Sequence, residues 1–125
     1  MKLSDVIKVR GIFLQIKDAK MPIKTSYQIA RFLQKTDADA TFYSDKYRDI
    51  INECAELKED GTPSISEDGT NIKIREDKVQ DCVTMIQELE STDVGNFALK
   101  IDIADLENSG LTVEQLYILM DYIVE

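Results

Sequence analysis

Apolar residues recur along this chain mostly in steps of three and four, and only briefly in steps of two. The first spacing predicts amphipathic helices and the second predicts strands. Residues 3–17 read as a first helix, with Ser4 as N-cap and Asp5 in the first turn. Ile7, Ile12, Phe13, Leu14 and Ile16 are its apolar positions. Gly11 in its middle costs about 1 kcal/mol against Ala. It marks either a close helix contact or a segment that is partly strand. Pro22 suits a first helical turn. From there a stripe runs through Ile29, Leu33, Thr36, Ala40, Tyr43, Tyr47, Ile50, Cys54 and Leu57. The spacing predicts one long amphipathic helix over 22–57 in preference to two. Thr36-Asp37-Ala38-Asp39 is where it would break, because Thr and Asp side chains compete for backbone bonds.

Asp60-Gly61 and Asp68-Gly69 signal turns. Ser64-Ile65-Ser66 and Asn71-Ile72-Lys73-Ile74-Arg75 are short β-like pieces, which predicts a hairpin or flexible flap over 59–75. Residues 76–90 read as a helix with Val79, Cys82, Val83, Ile86 and Leu89 inward. Phe97, Leu99, Ile101 and Ile103 alternate with Ala98, Lys100 and Asp102, the clearest strand pattern in the chain. Thr112 and Gln115 have capping-box spacing and open a last helix to about Val124. Leu116, Leu119, Met120 and Ile123 face inward there, with Tyr117 and Tyr122 off that face. The expected fold class is α+β and mainly helical. One long amphipathic helix packs with shorter helices and a small antiparallel sheet or hairpin, in a single domain over 1–125. No βαβ alternation and no internal repeat is visible.

Composition narrows the class. A chain of 125 residues, 43% hydrophobic and 31% charged, has the size and balance of one globular domain. The first residues lack a leader pattern, and no apolar run approaches the roughly 18 residues of a membrane span. The expected location is the cytoplasm, with no membrane partner. The sequence contains no histidine. That excludes Ser-His-Asp and Cys-His nucleophiles, His-based zinc sites and the usual proton shuttle near neutral pH. Cys54 and Cys82 fall at apolar phases of helices, as small buried hydrophobes do.

Charge is unevenly placed. Residues 1–35 hold eight basic residues against Asp5 and Asp18, whereas residues 101–125 hold six carboxylates and no base. An acidic surface repels nucleic acid and anionic membranes. The asymmetry fits either a basic partner for the acidic side or head-to-tail self-association.

Candidate chemistry is sparse. An EF-hand loop needs oxygen ligands at positions 1, 3 and 5, Gly at 6 and Glu at 12. Set on Gly61, the register offers Lys58 at position 3; set on Gly69, it offers Arg75 at position 12. Both fail, which leaves turns. The five glycines are scattered, so no phosphate-binding loop is formed. Asp45 and Asp49 are four apart on one helix face, the arrangement of an ordinary solvated acidic face. No catalytic residue, metal site or cofactor is expected. Tyr27, Arg31 and Lys35 at steps of four make the best basic strip, but the overall charge disfavours nucleic acid. Tyr43 and Tyr47 form an aromatic pair that serves as core or, where exposed, as a partner anchor. Asp102, Asp105, Glu107, Glu114 and Asp121 are the acidic candidates for a partner surface.

Several stretches carry a resemblance. They are Met21-Pro22-Ile23-Lys24-Thr25-Ser26-Tyr27, Phe42-Tyr43 with Tyr47-Arg48, and Ala55-Glu56-Leu57-Lys58-Glu59-Asp60-Gly61. Later come 86–94 (IQELESTDV), 101–107 (IDIADLE) and 111–116 (LTVEQL). Together they resemble a group of small bacteriophage proteins with an LPIK-like helix start, a long helix ending in an acidic Asp-Gly turn, a strand and a closing helix. The linker 61–71 is longer here. The resemblance implies a phage gene product in the host cell or the virion, and carries over no catalytic residue. The expected function is non-enzymatic and works through protein contacts, as a virion or assembly component or a self-associating scaffold. The alternative is an inhibitor of a host antiviral system that imitates nucleic acid with carboxylates.

Overall fold

The first apolar segment decides the architecture. In the computed structural model, residues 1–65, 69, 72–95, 97, 99 and 101–121 are described, and the statements below concern these. Helix α1 (Leu3–Ile16) buries Leu3, Val6, Val9, Ile12, Phe13 and Ile16. These positions occupy about half of its circumference, so one whole side of the helix must be covered. It packs against each of the other four: α2 (Ile23–Lys35), α3 (Asp37–Cys54), α4 (Val79–Glu90) and α5 (Val113–Leu119). Burying each large aliphatic or Phe side chain contributes about 1.5–3 kcal/mol. Lys2, not Ser4, caps α1, and its N–H donates to the Asp5 carboxylate (3.0 Å). Gly11 lies in the helix and faces solvent, where an added Cβ meets nothing within 4 Å. It marks neither a close contact nor a strand.

Two apolar clusters meet on α1. The larger joins α1 from Val6 to Ile16 with Ile29 and Phe32 of α2, Leu99, Ile101, Leu106 and Leu119. Phe13, Phe32 and Phe97 interlock edge-to-face, with centroids 5.5 Å apart in both pairs. The smaller cluster joins Leu3 to Ile50 and Cys54 of α3 and Cys82 and Leu89 of α4. The sequence pattern placed Leu14, Val79, Val83 and Met120 inward, but all four are exposed. Val6 and Val9 take the core positions on α1 instead.

The predicted long helix is two helices. It breaks at Thr36, whose backbone (φ −99°, ψ 4°) leaves the helical region. The Thr36 hydroxyl donates back to the Phe32 carbonyl (2.7 Å). The Arg10 guanidinium of α1 then donates to the Leu33 carbonyl (2.6 Å) and to the Thr36 hydroxyl (2.8 Å). It also reaches the Asp37 carboxylate at 3.7 Å. One largely buried cation therefore satisfies a carbonyl at the end of α2 and pairs with the first carboxylate of α3.

The predicted antiparallel sheet is not formed among the described residues. Four isolated bridges are found there: Lys2 with Asp93, Ala55 with Ile74, Leu57 with Pro63 and Ile65 with Ile72. The reason lies in how the three pieces of 54–75 meet. Glu56 N–H donates to Lys73 O (2.7 Å), Lys73 N–H to Ser64 O (2.9 Å), and Ser64 N–H to Glu56 O (2.7 Å). This closed triangle splits the pairing capacity three ways, so no ladder extends. Gly61, at φ +84°, makes the turn between two of the pieces.

Phe97, Leu99 and Ile101 do alternate inward, with Leu99 and Ile101 buried, but none of these three residues lies in a strand. The chain turns into a 3-10 segment at Ile103–Leu106, started by the Asp102 carboxylate accepting from Ala104 N–H (3.0 Å). The expectations for Ser66, Asn71, Ala98, Lys100 and residues 122–124 lie outside the described residues. The capping box at Thr112 and Gln115 is present as the sequence predicted.

Replacing Arg10 by Met leaves the Leu33 carbonyl and the Thr36 hydroxyl without their donor. The expected loss is about 1–3 kcal/mol in urea unfolding, against less than about 0.5 kcal/mol for Arg48→Met on the exposed face of α3. Gly11→Ala is expected to raise stability by about 0.5–1 kcal/mol in the same assay, because the site is helical and open.

Candidate functional site

The structure distributes the candidate residues over three surfaces and assigns structural duties to several of them. Tyr43 and Tyr47 lie one turn apart on α3, and their rings stack at 5.8 Å with 29° between planes. Tyr43 is half-buried and packs on the smaller cluster, while Tyr47 is exposed. Burial pushes the Tyr43 hydroxyl above its ordinary range, and nearby Glu90 and Tyr47 act in the same direction. Phe42, beside them, is also exposed. Asp45 pairs with Arg48 at 3.2 Å on the opposite side of the helix.

The acidic candidates divide. The Asp102 carboxylate caps the 3-10 turn, and the Asp105 carboxylate accepts from the Thr25 hydroxyl (2.8 Å), tying that turn to α2. Glu107, Glu114 and Asp121 are exposed. On α5, Val113, Tyr117 and Met120 are exposed as well. Their spacing of four and three places them on one line of the helix. The sequence signal for this line was present, but Met120 was read as core.

On α2 the basic strip is exposed over Tyr27, Arg31 and Lys35, and Ile23 extends its apolar end. None of the ion pairs among the described residues uses Lys24, Arg31 or Lys35.

Two depressions lie among the described residues. One of about 390 Å³ is lined by Ile103, Ala104, Leu106, Glu107, Gly110, Leu111 and Leu116. Glu107 is its one ionisable lining residue. The other, about 240 Å³, lies between α3 and α4 beside Glu53, Cys54, Lys78, Asp81, Thr84, Met85 and Glu88. Lys78 and Asp81 pair across one turn at its edge (3.8 Å). Among the described residues, no three His, Cys, Asp or Glu side chains converge as a metal-ligand set. Asp60 closes a turn by accepting from the Thr62 N–H (3.0 Å) and hydroxyl (2.6 Å), which holds its carboxyl below the usual range.

Cys54 and Cys82 are adjacent, free and buried. Burial pushes the Cys82 thiol up from its ordinary 9.0, and contact with Cys54 adds to the rise. Neither thiol has the electropositive, open setting of a reactive cysteine.

No helix among the described residues is long and apolar enough to cross a membrane. No protein family, curated protein or solved structure matches the chain.

The fold favours the neutral Cys82 thiol. This contribution to stability is complete below pH 9, where the unfolded thiol is also neutral, and is lost as pH rises beyond it. Tyr43 acts with the same sign above pH 10. Unfolding free energy measured against pH should therefore fall on the alkaline side, with a shallower slope in Cys82→Ala. Both native thiols should react with a disulfide reagent far more slowly than in urea.

Proposed function

We propose that the chain is a non-enzymatic phage accessory protein that works through protein–protein contact, as a virion or assembly component. The observation that carries this reading is the exposed apolar line of α5. Val113, Tyr117 and Met120 stand in solvent beside Glu114 and Asp121. A large Tyr flanked by aliphatics and rimmed by charge has the make-up of an interface anchor. The phage assignment is supported by the stretches at 21–27, 55–61, 101–107 and 111–116. The non-enzymatic assignment is supported by the lack of histidine.

A second reading has its own support. Glu107, Glu114 and Asp121 are exposed, and no base occurs from 101 to 125. Such a surface suits a basic nucleic-acid groove on a host defence protein. Asp102 and Asp105, engaged within the fold, contribute little to that mimicry.

Affinity capture from nuclease-treated infected lysate, at low and high salt, separates the two. Recovery of phage structural proteins at both salts is the expected result. Recovery of a host nuclease alone, lost at high salt, overturns the assembly reading in favour of the inhibitor.

A further inference from the structure

Helices α2 and α5 carry the same exposed pattern with opposite charge. Laid side by side from their first residues, they place Ile23 with Val113, Tyr27 with Tyr117 and Ala30 with Met120. All of these positions are exposed: Ile23 by 87%, Val113 by 85% and Tyr117 by 74% of their surface. The charged neighbours fall in the same register but with reversed sign, Lys24 with Glu114 and Arg31 with Asp121. These four are exposed too, and no ion pair among the described residues engages them. The inward positions match as well, since Ile29 and Leu119 are both buried.

The geometry has a definite consequence. Counting about 100° per residue, each helix presents a narrow apolar line with a charged line about 90° to one side, and on the same side in both. Two helices that face each other antiparallel bring same-side flanks together, whereas parallel helices bring opposite flanks together. Antiparallel docking of α2 on α5 therefore sets apolar line on apolar line and basic line on acidic line. Docking α2 on α2, or α5 on α5, in that manner sets like charges together, which costs free energy. Within one chain both faces stand in solvent, so their complement is on another molecule.

We propose that α2 of one copy of this chain docks antiparallel on α5 of a second copy, with Ile23, Tyr27 and Ala30 against Met120, Tyr117 and Val113, Lys24 beside Asp121 and Arg31 beside Glu114. This rests on the reading of the chain as a protein-contact module and names its partner. The contact is heterologous: each copy keeps one free α2 and one free α5 for the next, which generates a ring or an open string. Two to three helical turns bury little area, so the association is weak, reversible and salt-sensitive.

The test is sedimentation equilibrium of the purified chain at low salt over a wide concentration range. The expected result is an average mass that rises with concentration and falls back with added salt. Two charge-reversed variants, Lys24→Glu with Arg31→Glu and Glu114→Lys with Asp121→Lys, should each sediment as monomers with unchanged helicity by circular dichroism. Their equimolar mixture should associate again, because every α2–α5 contact between unlike variants is then complementary. Tyr117→Ser, which leaves charge untouched, should weaken association by about tenfold or more and serves if a charge variant loses helicity. A monomeric wild type at every concentration, association undiminished in both charge variants, or a mixture that stays monomeric overturns the proposal. A monomeric chain that still captures phage structural proteins refutes self-pairing and leaves the contact reading standing. Self-association with only a salt-sensitive host nuclease captured refutes the assembly reading and leaves the pairing.

Discussion

A charge on the packed side of the first helix is the constraint around which the chain is arranged. Helix α1 buries apolar residues over one whole side, yet Arg10 lies at the edge of that side with its side chain 13% exposed. A buried guanidinium is tolerated where acceptors meet it. The acceptors come from the junction of α2 and α3, namely the Leu33 carbonyl, the Thr36 hydroxyl and, at longer range, Asp37. The interaction fixes where the second helical run must stop and fixes both helices against α1. The separate apolar clusters on either side of α1 are thereby held in one relation.

That junction also shows where sequence reading stops. The stripe from Ile29 to Leu57 keeps its helical phase through Thr36, so periodicity alone reads one helix. The break depends on a partner, Arg10, that lies 26 positions earlier in the chain, and spacing carries no record of it. The Thr112 cap, the Gly61 turn and the Phe97–Leu99–Ile101 alternation were legible because each is a local matter of turn chemistry or side-chain phase. The sheet was misread because alternation reports which side chains point inward, not whether a neighbour supplies a ladder. Of the acidic candidates, Asp102 and Asp105 gave no sign in the sequence that they serve the fold. Their roles as cap and as acceptor for Thr25 appear once the 3-10 turn is placed beside α2.

The correspondence between α2 and α5 was hidden for a different reason. Likeness between segments is judged by shared residues, and here the charged positions are shared in place but reversed in sign. Such a pair is invisible as a repeat and visible as a complement. The uneven charge of the chain, basic at the start and acidic at the end, takes on a local meaning in these two helices. It also reconciles an acidic protein with a surface suited to copies of itself, because the opposing charges are gathered on separate elements.

The triangle of Glu56, Ser64 and Lys73 has a consequence for such company. An extended segment paired on one side holds out unused N–H and C=O groups on the other, a template onto which a foreign strand can zip. Around this triangle each of the three residues spends its N–H on one neighbour and its C=O on the other. The extended region is sealed at that point instead of edged. In the proposed pairing, molecules brought together through their helices are thus kept from stitching onto one another there by their backbones, and their encounters remain a matter of side chains, which salt and a single substitution can reverse.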